Sequence, residues 1–393
     1  MRTISIALLL LVTGGISIFA QTSIDRIVEQ VAANNTTLAA LRKERDAGRI
    51  GNHTGIAMKN PDVEFHYLWG NPTSIGNRTD LYISQSFDFP TAYGWKNRIA
   101  GSLDSQLELF YERERKGLML KVRLLLVNII STNALQQQYE RRLDAAGKLA
   151  AASKTKLDRG EGTILEFNKS QLYLLGLVRE AGNNTINREA LLTELAAFNG
   201  GIALELKDTS FIYTPVPVSF EAWYQTVSAQ IPELGLLRSE VEISLQQERL
   251  NLAMSLPKLS AGYMGEMNSA VQLQGITAGI SVPLWENSNR VKFARARTLA
   301  LQELESDRRL QIANELRMLH TKATRLQQSV NDYRNNIRLY NSTALLDKAL
   351  EKGEINLFNY LLELSAYHEC IDQLIRSERE LNMAVMELGR YGG

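Results

Sequence analysis

The chain reads as two tandem copies of one unit, and this repeat constrains the fold more than any other feature. Five short segments recur in the same order, first at an offset of 196 residues and then at 193, so three residues are gained in the first copy between 61 and 90. Five ordered anchors at nearly constant offset are hard to obtain by chance, which predicts a fold of two equivalent halves. The paired anchors begin at Ser23 and Ser219, Leu41 and Leu237, Pro61 and Pro257, Pro90 and Pro283, and Leu157 and Leu350.

A secretory signal precedes the repeats. Arg2 is followed by an apolar run over 4–12 and then by small residues up to Ala20, which indicates cleavage before Gln21. The alternative is a single N-terminal anchor helix, but the run is shorter than the ~20 residues that span a bilayer. The predicted parts are a signal peptide at 1–20, a first repeat at 21–201, a linker at 202–217 and a second repeat at 218–393.

Each repeat predicts the same order of elements: a helix, two strands, a very long helix, a Gly-Glu turn and a returning helix. The long helices contain almost no Gly or Pro, and about 65 residues would reach ~95 Å. Periodic patterns beyond 25 residues are typical of coiled coils or helical repeats. The predicted helices are 23–50, 93–158 and 164–198, then 219–255, 286–352 and 357–388; the predicted strands are 62–69, 79–89, 258–266 and 272–284.

The strands alternate between apolar and polar residues. Val63, Phe65 and Tyr67 share one face of the first strand, whereas Glu64 and His66 lie on the other. Strands of ~9–11 residues with one apolar face are the signature of an outer membrane barrel. A soluble sheet with one buried face shows the same alternation, so the pattern alone leaves both readings open.

The tryptophans favour the membrane reading. Trp69, Trp95 and Trp285, three of the four in the chain, flank the strands, the last two just beyond the strand–helix junctions at Pro90 and Pro283. Amphipathic rings are enriched at the two surfaces of a membrane. Four strands cannot close a barrel, and open edges are not tolerated in hydrocarbon, so several chains must complete it. Two, three or four copies would give 8, 12 or 16 strands.

Two Gly-Glu turns join the long helices to the returning ones. Gly160 and Gly353 can take the left-handed conformation that ends a helix. Thr163 and Asn356 are then candidate N-caps, and Glu166 would complete a capping box with Thr163. The residues of interest at these turns are Gly160, Glu161, Thr163, Glu166, Gly353, Glu354, Asn356 and Asn359.

The residues carry no catalytic or metal-binding pattern. No two of the four histidines are three or four residues apart, and there is no P-loop, no Gly-rich dinucleotide turn and no G-x-S-x-G. The single cysteine, Cys370, permits no intrachain disulfide, and the net charge of +1 gives no reason to expect a nucleic-acid partner. We expect no enzyme, no cofactor and no bound metal. The four histidines are His53, His66, His320 and His368.

With these features in place, the chain resembles the TolC-type outer membrane efflux protein family over residues 22–390. The resemblance lies in the tandem repeat, the junctions ISQSFDFPTAYGWKNR and ISVPLWENSNRVKFARA, and the turns RGEGTILEF and KGEINLFNYLLELS, which look like the family's hairpin tips. It implies a homotrimer with a 12-stranded barrel in the outer membrane and a long α-helical tunnel through the periplasm. It also implies a passive duct that serves a periplasmic adaptor and an inner-membrane pump of the RND type.

The resemblance indicates a class of substrate, but it does not supply the gate residues. The junctions and the GEINLF turn look more like the heavy-metal-efflux branch than the drug-efflux type member, so heavy-metal cations or drugs are the expected cargo. The type member narrows its inner end with two aspartates in the second tip. Those positions here are Asn359 and Leu362, and Glu166 stands at the position of the first copy that matches Asn359. The acidic constriction therefore cannot be carried over.

Two other classes of protein compete with the duct. A secreted periplasmic coiled-coil adaptor or scaffold of an efflux system would need a Gly-rich β domain beside one hairpin and no second repeat. A structural coiled coil without a membrane role would leave the tryptophan-flanked strands unexplained. In the duct, each repeat sends out an even number of strands, so both termini would be periplasmic. The loops at 70–77 and about 267–271 would then lie outside the cell.

Overall fold

The computed structural model describes residues 23–211, 214–285 and 287–391, so the predicted signal peptide and its cleavage before Gln21 lie outside the described residues. Its helices are α1 (Ser23–Asn34), α2 (Thr36–Asn52), α3 (Pro90–Asp158), α4 (Ile164–Phe198), α5 (Phe220–Val227), α6 (Pro232–Ala253), α7 (Arg290–Leu339), α8 (Thr343–Glu351) and α9 (Leu357–Leu388). Its strands are β1 (Asp62–Leu68), β2 (Arg78–Phe87), β3 (Lys258–Asn268) and β4 (Gln272–Ser281).

The two helices that open the repeats are each broken, where the sequence predicted continuous ones. The first is interrupted at Asn35, which has extended backbone and whose side chain accepts the Leu38 N–H at 2.9 Å. The second is interrupted before Pro232, which takes the first position of α6 behind the extended Ile231. Asn favours caps over helix interiors, and a proline biases the preceding residue away from helical backbone. These local preferences override the amphipathic pattern.

The second long helix is also shorter than predicted, because α7 ends at Leu339 and α8 begins at Thr343. The Asn341 side chain accepts the Thr343 N–H at 3.2 Å and its hydroxyl at 2.8 Å. An Asn side chain that satisfies the new helix start in this way competes with continuation of the helix. The first copy has no such break, since α3 runs over 69 residues, about 100 Å.

The four strands form one antiparallel sheet in the order β1-β2-β3-β4. The central β2–β3 pairing joins the two repeats. β1 and β4 are the outer strands, and the outer edge of each has no strand partner among the described residues. Residues directly opposite each other share a face. Ile83 faces Val63 on one side and Tyr263 on the other, and Tyr263 faces Ile276. The apolar faces predicted for the separate strands therefore merge into one continuous band.

The apolar band is open to the surroundings. Phe65 is 64% exposed, Ile280 66% and Ile276 94%. The opposite face carries small and polar side chains, among them Ser84 and Thr277. A face this apolar and this exposed needs a hydrophobic surrounding, and an unpaired strand edge needs a neighbouring strand.

Below the sheet, four helices run side by side in the order α2-α3-α6-α7, one for each strand. Two cores hold the lower helices together, the first built on α1, α2, α3 and α4 and the second on α5, α6, α7 and α9. The offsets of 196 and 193 pair the positions of these cores. The paired buried residues are Ile24 and Phe220, Val31 and Val227, Leu38 and Leu234, Ile130 and Ala323, and Leu195 and Leu388.

One helix of the described chain, α3, contains a window long and apolar enough to cross a membrane by composition alone. Most of this window is buried inside the protein, where Leu126, Ile129 and Ile130 contribute to the first core. Such burial is typical of a core helix.

The facing of the strands can be tested with two neighbouring residues of β4. Replacing Ile276, on the apolar band, with Arg should cost ~2–4 kcal/mol in a bilayer, because the charge would enter lipid. Thr277→Arg places the same group on the opposite face and should leave assembly intact. Heat-resistant oligomer bands from membrane fractions measure both. Normal assembly of the Ile276 variant together with failure of the Thr277 variant would mean that the sheet faces the other way.

Candidate channel entrance at the helix tips

The first Gly-Glu turn ends α3 with a left-handed glycine, as predicted. Gly160 has φ +74°. The Glu161 N–H donates to the Lys156 carbonyl at 2.9 Å, and the Gly160 N–H donates to Leu157 at 3.0 Å. These two bonds are the Schellman arrangement, in which the residues after the helix satisfy its last free carbonyls.

The second turn ends α8 with the same geometry. Gly353 has φ +72°. The Glu354 N–H donates to the Ala349 carbonyl at 2.8 Å, and the Gly353 N–H donates to Leu350 at 3.1 Å. The two tips are therefore equivalent in backbone conformation as well as in sequence.

Both returning helices begin at the predicted N-caps. Thr163 Oγ1 accepts the Glu166 N–H at 3.2 Å, while the Glu166 carboxylate accepts the Thr163 N–H at 2.9 Å. These bonds hold the pKa of Glu166 below its usual value, since they stabilise the ionised form. In the second tip, Asn356 Oδ1 accepts the Asn359 N–H at 2.8 Å. The backbone of Asn359 thus completes the cap at the position that the resemblance matches to an aspartate of the TolC-type member.

The two tips of one chain contact each other. Leu149 of α3 and Tyr173 of α4 pack against Leu357, Tyr360 and Leu361 of α9. Burial raises the pKa of the Tyr360 hydroxyl, which donates to an oxygen of an α8 aspartate at 2.8 Å. A cleft of about 210 Å³ between the tips is lined by residues of both, including the turns. The tips form one packed unit. It lies at the ends of the long helices that are farthest from the sheet.

Charge at the tips is exposed and weakly paired. Lys352 Nζ lies 4.0 Å from the Glu354 carboxylate, and both side chains are mostly in solvent. An exposed pair of this kind contributes at most ~1 kcal/mol. The side chains of Phe358 and Leu362 are more than half exposed. Leu362, which stands at the second aspartate position of the family's type member, therefore presents an apolar surface instead of a charge.

A buried ion pair ties the two repeats together above the tips. Arg142 of α3 meets Asp372 of α9 in a bidentate contact, with Nη2–Oδ1 2.6 Å and Nη1–Oδ2 2.9 Å. Arg142 Nη2 also donates to the His368 carbonyl at 3.3 Å. The side chains of the pair are 4% and 7% exposed. Sequence reasoning missed this pair because 230 residues separate its members and nothing local signals it.

His368 belongs to the same cluster. Its Nδ1 lies 3.2 Å from the Tyr173 hydroxyl, in a half-buried space between α4 and α9. Burial, and secondarily the charge of Arg142, lowers the pKa of His368 to about 4. The imidazole is therefore neutral near pH 7.

The predicted aromatic and junction residues lie at the two ends of the sheet. Pro90 is the first residue of α3, and the Arg98 guanidinium lies 4.7 Å from the Trp95 ring centre. Trp69 is 80% exposed beyond the end of β1 and Trp285 is 82% exposed beyond β4. Pro283 lies in irregular chain two residues after β4.

Across residues 23–211, 214–285 and 287–391, no three His, Cys, Asp or Glu side chains are grouped as a metal ion would require. β3 is continuous from Lys258 to Asn268, so Met264 and Met267 lie on opposite faces of the sheet.

Comparisons with known proteins show which proteins have a similar sequence or fold. No known family profile matches the chain. The alkaline protease secretion protein AprF of Pseudomonas aeruginosa is 22% identical over 406 residues, spanning 92% of this chain and 82% of that protein. The solved structure of CusC has a TM-score of 0.78 at 13% identity, covering 95% of this chain and 93% of that one. The Campylobacter jejuni CmeC outer membrane channel has a TM-score of 0.74 at 13% identity, covering 94% and 85%. The chain has the fold of the TolC-type outer membrane channels, and that prediction is confirmed.

Breaking the buried pair should destabilise the hairpins. Asp372→Leu leaves the Arg142 charge buried without a partner, a change that costs ~3–5 kcal/mol. Arg142→Met likewise leaves the Asp372 carboxylate buried without a partner. The double variant removes both charges and should recover most of the loss. Thermal unfolding of the detergent-solubilised protein, followed by helix circular dichroism, measures this. Simple addition of the two single losses in the double variant would show that the two side chains do not stabilise each other.

The neutral His368 predicts a pH dependence. An unfolded histidine has a pKa near 6.5, whereas His368 in the folded protein has a pKa of about 4. As pH falls from about 6.5 towards 4, the unfolded chain binds a proton that the folded chain does not, so stability falls in this window. His368→Gln should flatten the decline between pH 6.5 and 4.5. A variant whose unfolding temperature still declines as steeply as that of the wild type would contradict the assignment.

Proposed function

We propose that this chain is the outer membrane channel of a tripartite export system, a passive duct from the periplasm to the outside of the cell. The observation that carries the proposal is the joining of an exposed apolar sheet to two long helical arms that end in paired turns. The first arm is a single helix about 100 Å long. The sheet fits a bilayer, and the helices are long enough to extend far into the periplasm. The fold shared with solved outer membrane channels supports the same assignment.

The assembly we propose is a homotrimer. Each chain contributes four strands and four helices beneath them, with open edges at β1 and β4 in the part of the chain that the structure describes. Pairing of β4 with β1 of the next copy satisfies the edges, as hydrocarbon requires. Three copies give 12 strands over 12 helices, more than the eight that side chains can fill, which leaves a lumen. Cyclic symmetry closes the ring without a free edge.

The tips are the proposed entrance and docking surface. Six tips would meet in one ring at the periplasmic end, carrying Glu161, Glu354 and Glu166. A periplasmic adaptor would dock there and connect the duct to an inner-membrane pump, of the RND type in the leading version. The cargo in that version is a heavy-metal cation or a drug.

A second candidate cargo is a secreted protein. The similarity to AprF, a protein named for the secretion of alkaline protease, spans 92% of this chain and favours this version. The duct itself is the same in both, because a passive channel receives its cargo from the pump. The competing adaptor is not favoured, since the second repeat here supplies two further strands to one sheet.

Membrane fractions and planar bilayers test the proposal together. We expect heat-modifiable trimers in the outer membrane fraction and stable single-channel conductance from the purified protein. A protein that is recovered only as a soluble monomer in the periplasm, with no conductance, would contradict it.

The role of the tips is tested by glycine variants. Proline cannot take the positive φ of Gly160 or Gly353 and removes the N–H that each donates to its helix. Gly160→Pro or Gly353→Pro should abolish export while trimers and membrane insertion persist. The matched control is Gly201→Pro, which disturbs a similar turn at φ +86°, where the Gly201 N–H donates to the Ala196 carbonyl, far from the tips in the chain. Normal export by both tip variants would place the entrance elsewhere.

A strain that lacks the protein distinguishes the two candidate classes of cargo. Greater sensitivity to metal cations or drugs would support efflux, and loss of a protein from the culture medium would support protein secretion.

A further inference from the structure

A groove of about 720 Å³ lies just below the sheet, where α6 runs between α3 and α7. The start of α7 lies beside the end of α6, because Asn287 Nδ2 donates to the Met254 carbonyl at 2.7 Å. Further down, the Ser244 hydroxyl of α6 lies 2.8 Å from the Thr298 hydroxyl of α7. The groove runs along the helices between these two levels and is lined by all three of them.

The groove lies on one face of the helical wall. Gln246 of α6 donates to a serine of α3 at 2.8 Å, whereas Ser244 meets α7, so these two sides of α6 face its neighbours. With 3.6 residues per turn, Gln247 projects between the two sides, and it lines the groove. Arg249 projects in the opposite direction and is exposed. The wall therefore has a groove face and an opposite face.

The groove face continues the polar face of the sheet. The Asn268 N–H donates to the Val271 carbonyl, so the residues of β3 in phase with Asn268, such as Ser260, turn their backbone groups towards β4. The chirality of L-residues then places β4, and α7 with it, on the right for a viewer who faces these side chains with β3 running upwards. α6 runs upwards too, and a right-handed helix passes from left to right on its near side. That near side carries Gln247, so in the proposed duct the groove opens to the lumen.

Two arginines of α7 line the groove. Arg290 and Arg297 lie two turns apart on one side of the helix, and both are exposed. Neither makes an ion pair within the part of the chain that the structure describes, whereas Arg295, outside the groove, pairs with Glu248 at 2.8 Å. The two guanidinium groups of the groove are therefore available to the acceptor oxygens of a ligand.

One carboxylate, that of Glu240, also lines the groove, at its lower end. It lies two residues from Arg238, which meets Glu305 well below the two groove arginines. No ion pair joins Glu240 to either arginine across residues 23–211, 214–285 and 287–391. Two arginines against one carboxylate leave a net positive charge in the groove of each chain. Charges further along the lining helices are paired, Lys96 with Asp88 at 2.8 Å and Arg308 with Glu315 at 3.4 Å.

An apolar wall lies beside the two cations. Phe293 lies between them on α7, three residues after Arg290 and four before Arg297, and it is 65% exposed. Leu103 of α3 and Ile243 of α6 line the same groove. Charged donors beside an apolar surface suit a molecule that carries an anionic group on an apolar body.

We infer that Arg290, Arg297 and Phe293 form a lumenal binding site for amphipathic organic anions. The inference rests on the proposed function, because it needs a lumen on this face of the wall. It narrows the class of cargo to molecules with an acidic group and an apolar body, which a metal cation lacks. Three copies would place three such grooves around one level of the tunnel, just below the barrel. Each groove is open to water, so binding is brief, as a duct that must release its cargo requires.

Single channels of the full-length protein in planar bilayers test the site, with naphthalenesulfonate as the probe. The probe should interrupt the current, and the measured quantity is the concentration that gives half block. Naphthyltrimethylammonium has the same ring with a positive charge, and methanesulfonate has the anion without the ring. Both should need a several-fold higher concentration. Equal block by the cationic probe would overturn the inference.

Two pairs of substitutions separate the groove from charge in general. Arg290→Gln combined with Arg297→Gln should raise the half-blocking concentration of naphthalenesulfonate several-fold, because the sulfonate loses both charged donors. The matched control is Arg249→Gln combined with Lys292→Gln, which removes two exposed cations from α6 and α7 outside the groove. The control should leave the half-blocking concentration unchanged.

The apolar half of the site is tested at the aromatic ring. Phe293→Ala should weaken the block by naphthalenesulfonate several-fold and leave the block by methanesulfonate unchanged. An unchanged half-blocking concentration in the conducting Arg290/Arg297 variant would overturn the binding site while leaving the duct in place. Absence of any wild-type conductance would overturn the proposed function and the binding site with it.

Discussion

The structure depends on the unmet hydrogen-bonding groups at the two edges of its sheet. β1 and β4 end the sheet within the described residues, and the apolar band between them is exposed. In hydrocarbon an unpaired edge costs several kcal/mol for each free backbone group, so the sheet is stable only as part of a closed ring. The helices beneath continue the strands one for one, and closing the sheet therefore closes the helices into a tunnel. In the proposed duct, membrane insertion, oligomerisation and the tunnel would all follow from this one constraint.

The repeat explains how a single chain forms such an elongated fold, because the same contacts are used in both halves. Equivalent positions are buried in both cores, and equivalent Schellman turns end both long helical arms. The two halves are then joined at three levels. β2 pairs with β3 in the sheet, Arg142 meets Asp372 between the hairpins, and Tyr173 packs with Tyr360 at the tips. The ion pair lies where the faces of α3 and α9 meet, and removing one partner would leave the other charge buried alone.

Local signals made much of the fold predictable from sequence. Alternation over residues 62–68 settles which face of a strand is apolar, and a glycine followed three residues later by Thr163 settles a turn and a cap. The breaks at Asn35 and Asn341 were missed because an amphipathic pattern continues through them, whereas the side chain acts on a backbone group two or three residues away. The Arg142–Asp372 pair could not be predicted, since only the packing of distant helices brings it together. The roles of the tip residues remain proposals, because caps and turns have the same local geometry in any helical hairpin.

The two ends of the proposed duct differ in the chemistry that they present to cargo. At the tips, Asn359 uses its backbone in a cap and Leu362 exposes an apolar side chain, so the family's pair of aspartates has no counterpart there. At the sheet, Arg78 pairs with Asp80 and Glu266 on the face opposite the apolar band. The proposed entrance would still carry the carboxylates of Glu161, Glu166 and Glu354, of which Glu166 is held in the Thr163 capping box.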